Sequence, residues 1–385
     1  MNYRDVPPGA STLILSGSDV AEIVRAVGCH EFMDRLIANL HTAFAAFDVS
    51  TTHVPVRDGF HYETPVTGLV EWMPLYQQGE SVLMKMVGYH PQNPSNHGIP
   101  TVLSTLSLFD TRTGAPSIIA DGALLTSMRT GAASAVATRI LAREKSRVVG
   151  LIGCGAQAVT QLHALTRVRE IDTVRYFDIN KHVMATFAER LKPLVASSVQ
   201  FVPSSLESVV SQSDILCTAT SIGVGEGPLF HGIDSASSLH VNAVGSDLSG
   251  KTELPLNLLE ASCVCPDFPE QARLEGECQQ LETDSIGPSL LDLMHQVNDW
   301  PARKNQRTVF DSTGWALEDA VALRLLMQHA LAKDIGLIID LSGTTQDPWN
   351  PYEAITAIQS SDQDEQSSRD QLEAGTRNLH SSVKA

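Results

Sequence analysis

Apolar residues recur at helical spacing near the start of the chain. Between residues 11 and 48, a Ser/Asp-flanked stretch, SGSDV, leads into Ile23, Val24, Val27, Phe32, Leu36, Ile37, Leu40 and Phe44, so one or two helices are expected there. From His53 to about Asp110 the rhythm shortens to strand-like pieces, GLVEWMPLY, SVLMKMVGY and TVLSTLSLFD, divided by Gly, Pro and Asn. That pattern predicts a small antiparallel or mixed sheet. Residues 123–142, ALLTSMRTGAASAVATRILA, read as a helix whose small residues permit close packing.

Beyond that helix, strand-like and helical runs alternate. RVVGLIG precedes a helix from about residue 156, TVRYFD precedes HVMATFAERLKPL, and VQFVP precedes SLESVVSQ; DILCTAT, LHVNAVG and SCVCPD follow. Alternation of this kind predicts a parallel sheet with helices on its faces. TVFDSTG, 308–314, adds a strand, and GWALEDAVALRLLMQHALAKDIG a long helix able to pack back on the first region. The polar tail 359–385 is read as disordered. No internal repeat is evident.

The run RVVGLIGCGAQAVTQ gives this alternation a chemical meaning. Gly153, Gly155 and Ala158 fit G-x-G-x-x-G/A: a turn, a close approach of backbone to pyrophosphate, and a small residue where helix meets strand. The next strand ends in Asp178, which can accept hydrogen bonds from a ribose diol and repels a 2′-phosphate. NAD is therefore the expected cofactor; Lys181 and His182 close by leave NADP open. The fold class expected is α/β, a Rossmann-type dinucleotide-binding domain over 129–314 with a discontinuous α+β domain built from 1–128 and 315–358.

Composition narrows the partners. A chain of 385 residues suits two domains, and 43% apolar content supports packed cores. The net charge of −17, with no Lys/Arg-rich run, argues against nucleic acid and anionic membrane. No apolar run reaches bilayer length and the start, MNYRDVPPGAST, lacks a signal-like pattern, so a soluble cytoplasmic protein is expected. The six cysteines lack zinc-site spacing and read as reduced thiols; Cys263 and Cys265 point the same way at strand spacing. His90 and His97 flank a Pro91- and Pro94-containing loop without a cysteine or carboxylate, so no metal is expected.

Several segments resemble the ornithine cyclodeaminase and mu-crystallin family: VEWMPLY, LMKMVGYHPQNP, LFDTRTGAPSIIADGALLTSMRTGAA, GLIGCGAQAVTQ, NAVGSDLSGKTEL, QARLEGECQQ and VFDSTGWALEDAVALR, which span about residues 57–330. The resemblance implies that the first domain binds substrate and forms a homodimer, that the long C-terminal helix returns to it, and that the active site lies between the domains. It implies cofactor contacts from Gly153, Gly155, Ala156, Gln157, Asp178, Thr218, Ala219, Val244, Gly245, Lys251 and Ser312, with Thr313 beside Ser312 on the nicotinamide side.

Candidate chemistry follows from residues and resemblance together. Lys85 interrupts the apolar run LMKMVGY, where a charge is costly unless it faces a cleft or a partner; the resemblance makes it a contact to the substrate carboxylate that helps polarise the reacting carbon. Arg129 and Arg57 suit bidentate carboxylate binding, although a surface salt bridge serves Arg57 equally well. Asp247 follows the strand LHVNAVG, and two readings stand: a general acid/base at the substrate nitrogen, or a cap on the turn that S-D-x-x-G encodes. Lys251 can orient that loop, and Asp311 can fix the loop before Ser312. Glu71 is either a receiver for a distal amine or an ordinary strand glutamate. The substrate implied is an amino acid or imine. Three functions compete: cyclisation of ornithine to proline with loss of ammonia and the cofactor regenerated in place, net ketimine reduction or amino-acid dehydrogenation, and non-catalytic binding of a small molecule.

Overall fold

The computed structural model describes residues 11–232, 235–295, 305–341, 347–353 and 355–356. Two sheets organise them. In chain order the strands are β1 (Thr12–Leu15), β2 (Thr52–His53), β3 (Asp58–Tyr62), β4 (Gly68–Gln77), β5 (Ser81–Tyr89), β6 (Val102–Asp110), β7 (Pro116–Asp121), β8 (Val148–Ile152), β9 (Thr173–Phe177), β10 (Gln200–Pro203), β11 (Ile215–Thr218), β12 (His240–Ala243), β13 (Cys263–Pro266), β14 (Thr308–Asp311) and β15 (Leu337–Ile339).

The first sheet runs β15-β1-β7-β6-β5-β4-β2, with β3 paired on β4 beside β2. It is mixed: β4 to β7 form an antiparallel meander, and β1 joins β7 in parallel. Alternation along β4 and β5 turns Met73, Leu75, Leu83, Lys85 and Val87 inward, against the helices Gly17–Val27, Cys29–Ala45, Ala123–Leu141 and Ala316–Lys333. Gly28, at φ 96, separates the first two helices, which realises the two-helix form of the expected 11–48 segment.

The second sheet has the order β10-β9-β8-β11-β12-β14-β13 and is parallel throughout, as the alternating pattern predicts. Both its faces are apolar: Leu216, Val241 and Val309 pack on one side, Val149, Leu151, Ile215 and Cys217 on the other. Strand order reverses across β8, with β9 on one side and β11 on the other, the place where such sheets open a ligand crevice.

Ala123–Leu141 is one continuous helix, so it runs through the expected boundary at 128/129 and packs on elements of both sheets. The HVMATFAERLKPL segment forms two short helices, Lys181–Ala185 and Phe187–Leu191, hinged at Thr186. Three strands went unanticipated, β1, β7 and β15, because TLIL, PSIIAD and LII are too short to show a period. The tail expected to be disordered lies outside the described residues. No disulfide joins any of the six cysteines.

Candidate active site

At the crevice, β8 runs into Gly153, whose φ of 92 few other residues tolerate. A β-carbon there would lie 2.4 Å from the Ala219 carbonyl oxygen, so the turn admits only glycine. Gly155 opens on empty space, and the helix Ala156–Thr166 starts with no side-chain cap, which leaves its first amides available to an anion. Asp178, at the end of β9, accepts hydrogen bonds from Cys154 N (2.8 Å) and Asn180 N (2.7 Å), and these fix its carboxylate beside the glycine turn. Burial, helped by that carboxylate, pushes the Cys154 thiol up to about 12, so it stays protonated.

Gln157, Val244 and Ser312 reach the cleft that separates the two sheets, and the Ser312 hydroxyl is buried without a hydrogen-bond partner. These features fit a dinucleotide laid across the crevice: a glycine turn, open helix amides, a fixed carboxylate and an unengaged hydroxyl. Thr218, Ala219 and Gly245 are not among the residues that line the cleft; Gly245 N donates to Glu253 Oε2 at 3.0 Å, and the same carboxylate accepts from Thr220 N at 2.7 Å.

The cleft encloses about 210 Å³. From the first sheet it receives Arg57, Glu71 and Lys85, from the helix Ala123–Leu141 Arg129, and from the second sheet's loops Asp247, Lys251, Ser312 and Thr313. Lys85 is almost wholly buried, with its Nζ 2.9 Å from Asp319 Oδ1. Burial drives its ammonium down to about 8, against the opposing pull of Asp319 and with Arg129 and Arg57 adding to the fall. Arg129 Nη1 donates to Glu318 Oε2 at 2.5 Å, and its Nε lies 3.3 Å from Asp319 Oδ1. Gly314 allows that position, since a β-carbon there would sit 2.2 Å from Arg129 Nη1.

Arg57 donates to the carbonyls of Thr313 and Gly314, and its Nε lies 2.6 Å from Glu275 Oε1, an ion pair outside hydrogen-bond angles. It is therefore no surface salt bridge. Burial raises Glu275 to about 8 in spite of Arg57. Glu71 faces Arg57 Nη1 at 3.6 Å.

Asp247 projects from the loop after β12 and keeps 37% of its side chain exposed. Its Oδ1 accepts from Lys251 Nζ at 2.9 Å. The turn itself is closed by other groups: Ser246 Oγ donates to Lys251 O at 2.5 Å and Lys251 N to Leu248 O at 3.0 Å. Asp247 is thus left facing the cleft while its neighbour caps the turn. Burial opposes the charge of Lys251, yet Asp247, Tyr89 and Glu253 hold its ammonium above the ordinary lysine range. Asp311 points away and accepts from Glu277 N (2.9 Å) and Cys278 N (2.8 Å), which ties the 276–278 turn to β14.

Five polar residues of the site escaped the sequence reading: Asp267, Gln271, Glu275, Glu318 and Asp319. Asp267 accepts from Gly314 N (2.6 Å) and Thr313 Oγ1 (3.0 Å), and Gln271 Nε2 donates to Thr313 Oγ1 (2.8 Å), so both hold the loop under Arg57 and Arg129. His90 is engaged by Tyr62 Oη at 2.9 Å, and no cluster of three or more metal-ligating side chains occurs among the described residues. No helix among them is long and apolar enough to cross a membrane.

The profile of the ornithine cyclodeaminase/mu-crystallin family matches residues 18–334. The chain belongs to this family. An L-lysine cyclodeaminase of Streptomyces rapamycinicus is 40% identical over 89% of this chain and 99% of the relative. A solved structure of lysine cyclodeaminase, described as recognising L-lysine, L-ornithine and L-2,4-diaminobutyric acid, superposes with TM-score 0.86 at 43% identity, covering 89% of this chain and 99% of that one. A Thermococcus litoralis Δ1-pyrroline-2-carboxylate reductase, solved with NADH and L-proline, gives TM-score 0.76 at 31% identity over 85% and 99% of the two chains. Family membership agrees with the two-sheet architecture and with a cleft built from both sheets.

Proposed function

We propose that this protein is an NAD-dependent cyclodeaminase of a basic α-amino acid, converting L-ornithine to proline or L-lysine to its six-membered homologue with release of ammonia. The observation that carries this reading is one cleft lined by four cations, Arg57, Lys85, Arg129 and Lys251, the last paired with Asp247, and by two carboxylates, Glu71 and Asp247. A diamino acid brings one carboxylate for the cations and two nitrogens for the carboxylates, whereas an amino acid without a distal amine brings one nitrogen, for which one carboxylate suffices. The 40% identical lysine cyclodeaminase supports it.

Bound NAD supplies reversible hydride exchange at the substrate Cα, the chemistry that makes the α-amine replaceable. The chain's residues supply position and protons. Lys85 and Arg129 hold the substrate carboxylate, with Arg57 on its flank, and Asp319, Glu318 and Glu275 fix those three cations. Asp247 takes a proton from the distal nitrogen, which frees its lone pair for ring closure, and returns one to the departing ammonia. Glu71 receives the distal ammonium and turns that end of the chain back towards Cα. Gln157, Val244 and Ser312 face the cofactor, and Asp178 holds its ribose. The homodimer rests on a separate feature, the apolar outer face of the first sheet, where Tyr76, Met86 and Leu103 are each more than a third exposed.

The test supplies ornithine or lysine with a trace of NAD and follows ammonia and the cyclic product by mass spectrometry while watching NADH absorbance. Product and ammonia in equal amounts without net NADH support the reading, and Asp247→Asn should then lower turnover about a hundredfold or more with NAD affinity unchanged. Stoichiometric NADH consumption with a cyclic ketimine, and no ammonia from either diamino acid, would instead place the chain with the reductases. The similarity to the pyrroline-2-carboxylate reductase makes that the second reading.

A further inference from the structure

Gly59 and His61 share one face of β3 at the edge of the first sheet, with Arg57 just ahead of the strand, and the register of β3 on β4 sets Glu71 opposite Gly59. A β-carbon at Gly59 would lie 2.6 Å from Glu71 Cα and 2.7 Å from Glu71 Cγ, so the glutamate occupies the space above that glycine. Lying there, it meets a different basic side chain at each oxygen: Oε2 is 3.6 Å from Arg57 Nη1, and Oε1 is 3.3 Å from His61 Nε2. Glu71 is buried and lines the cleft, whereas the His61 side chain is 51% exposed. The imidazole therefore joins a cleft carboxylate to solvent.

The consequence is one of charge counting. Among the described residues, the charged groups around this pair are Glu71 on β4 and Arg57 ahead of β3, with Glu275, Arg129, Asp267 and the Asp247–Lys251 pair beyond Arg57. With His61 cationic, two cations face one carboxylate, and an arriving ammonium finds little negative charge. With His61 neutral, Arg57 is the one cation left beside Glu71, and it also lies against Glu275. Histidine is the side chain whose charge ordinary changes of pH can switch.

Resting on the role proposed above for Glu71, we propose that His61 is a positioning residue that sets the charge Glu71 shows to the cleft, so that a distal ammonium is recognised best when the imidazole is neutral. Nothing in the cyclodeaminase chemistry itself requires a residue at this place. His61 pairs with neither of the carboxylate-binding cations Lys85 and Arg129, and it is not itself part of the cleft lining.

The experiment uses the NADH-loaded protein, in which no turnover competes, and measures Kd by calorimetry for L-ornithine and for L-norvaline, the same carbon chain without the distal amine. The norvaline-to-ornithine Kd ratio should rise about three- to fivefold from about pH 6 to about pH 9, the size expected of a half-exposed ion pair. His61→Gln should show the high ratio at every pH, and His61→Arg the low one. A ratio that is constant with pH in the wild type, or a rise in His61→Gln as large as in the wild type, overturns the inference alone. A ratio of one throughout shows no recognition of a distal amine and overturns the diamino-acid reading together with it.

Discussion

At the scale of single residues, Lys85 ties the buried charge of the site to a measurable pH dependence. Burial sets its ammonium at about 8, with Asp319 resisting the fall. A substrate carboxylate that enters the cleft favours the charged form, so free and bound protein titrate differently. The free protein loses the lysine proton as pH rises through about 8, and kcat/KM for the amino acid should fall along that limb. In the complex the limb should move to higher pH and kcat should hold. Initial rates across the pH range check this, and Lys85→Met should abolish the limb while lowering kcat/KM about tenfold to a hundredfold. A limb unchanged in Lys85→Met would show that another group titrates there. Lys85 was legible in the sequence because a charge stands out in LMKMVGY. Glu318 and Asp319 were not, since two acids in the first turn of a helix look like ordinary complements to its dipole. Only the fold reveals that this turn is buried on every side and faces two cations.

At the scale of elements, the helix Ala316–Lys333 is the keystone between sequence-distant pieces of the site. Its Asp319 pairs with Lys85 on β5 and lies 3.3 Å from Arg129 on the helix Ala123–Leu141, so one carboxylate joins three elements. Asp319→Asn keeps the volume and removes the charge, which leaves two buried cations with Glu318 alone. The loss should be about 3 kcal/mol in urea unfolding, the lower end for a broken buried pair because Glu318 still serves Arg129. It should also carry the basic limb of kcat/KM to lower pH, since Lys85 loses the acid that holds its proton. A change under about 1 kcal/mol would mean that water already compensates these charges. The same scale shows what patterning can give. Parallel strands on both sides of a glycine fingerprint are read readily, because each is a short β-branched run bounded by turns. β1 and β15 lie hundreds of residues apart; β15 pairs only with β1, which lies between it and β7, and both become strands through that pairing.

At the scale of the whole molecule, the first sheet has a face that a monomer leaves unfinished. On β4, β5 and β6 the inward residues are buried, yet the outward set also reads apolar: Val70, Trp72, Tyr76, Met84, Met86, Leu103 and Phe109. An antiparallel sheet that faces water on one side normally alternates apolar with polar. Tyr76, Met86 and Leu103 are exposed at 38%, 38% and 41%, and Phe60 at 70% on β3 beside them. A second copy of the same face would cover this surface with a self-complementary contact, the form a two-fold dimer takes. Met86→Glu combined with Leu103→Glu places two charges in the middle of that face, far from the cleft side of the strands. Sedimentation should then shift from dimer to monomer, with the far-ultraviolet circular dichroism of the fold retained. Activity should fall as well, because Glu71 and Lys85 stand on the inner side of the same strands and depend on a sheet held firm from behind. If the doubly substituted protein stays dimeric, the contact lies elsewhere, and the apolar outer face has another cover. If it becomes monomeric at full activity, the sheet is rigid enough alone and the dimer contributes nothing to the site.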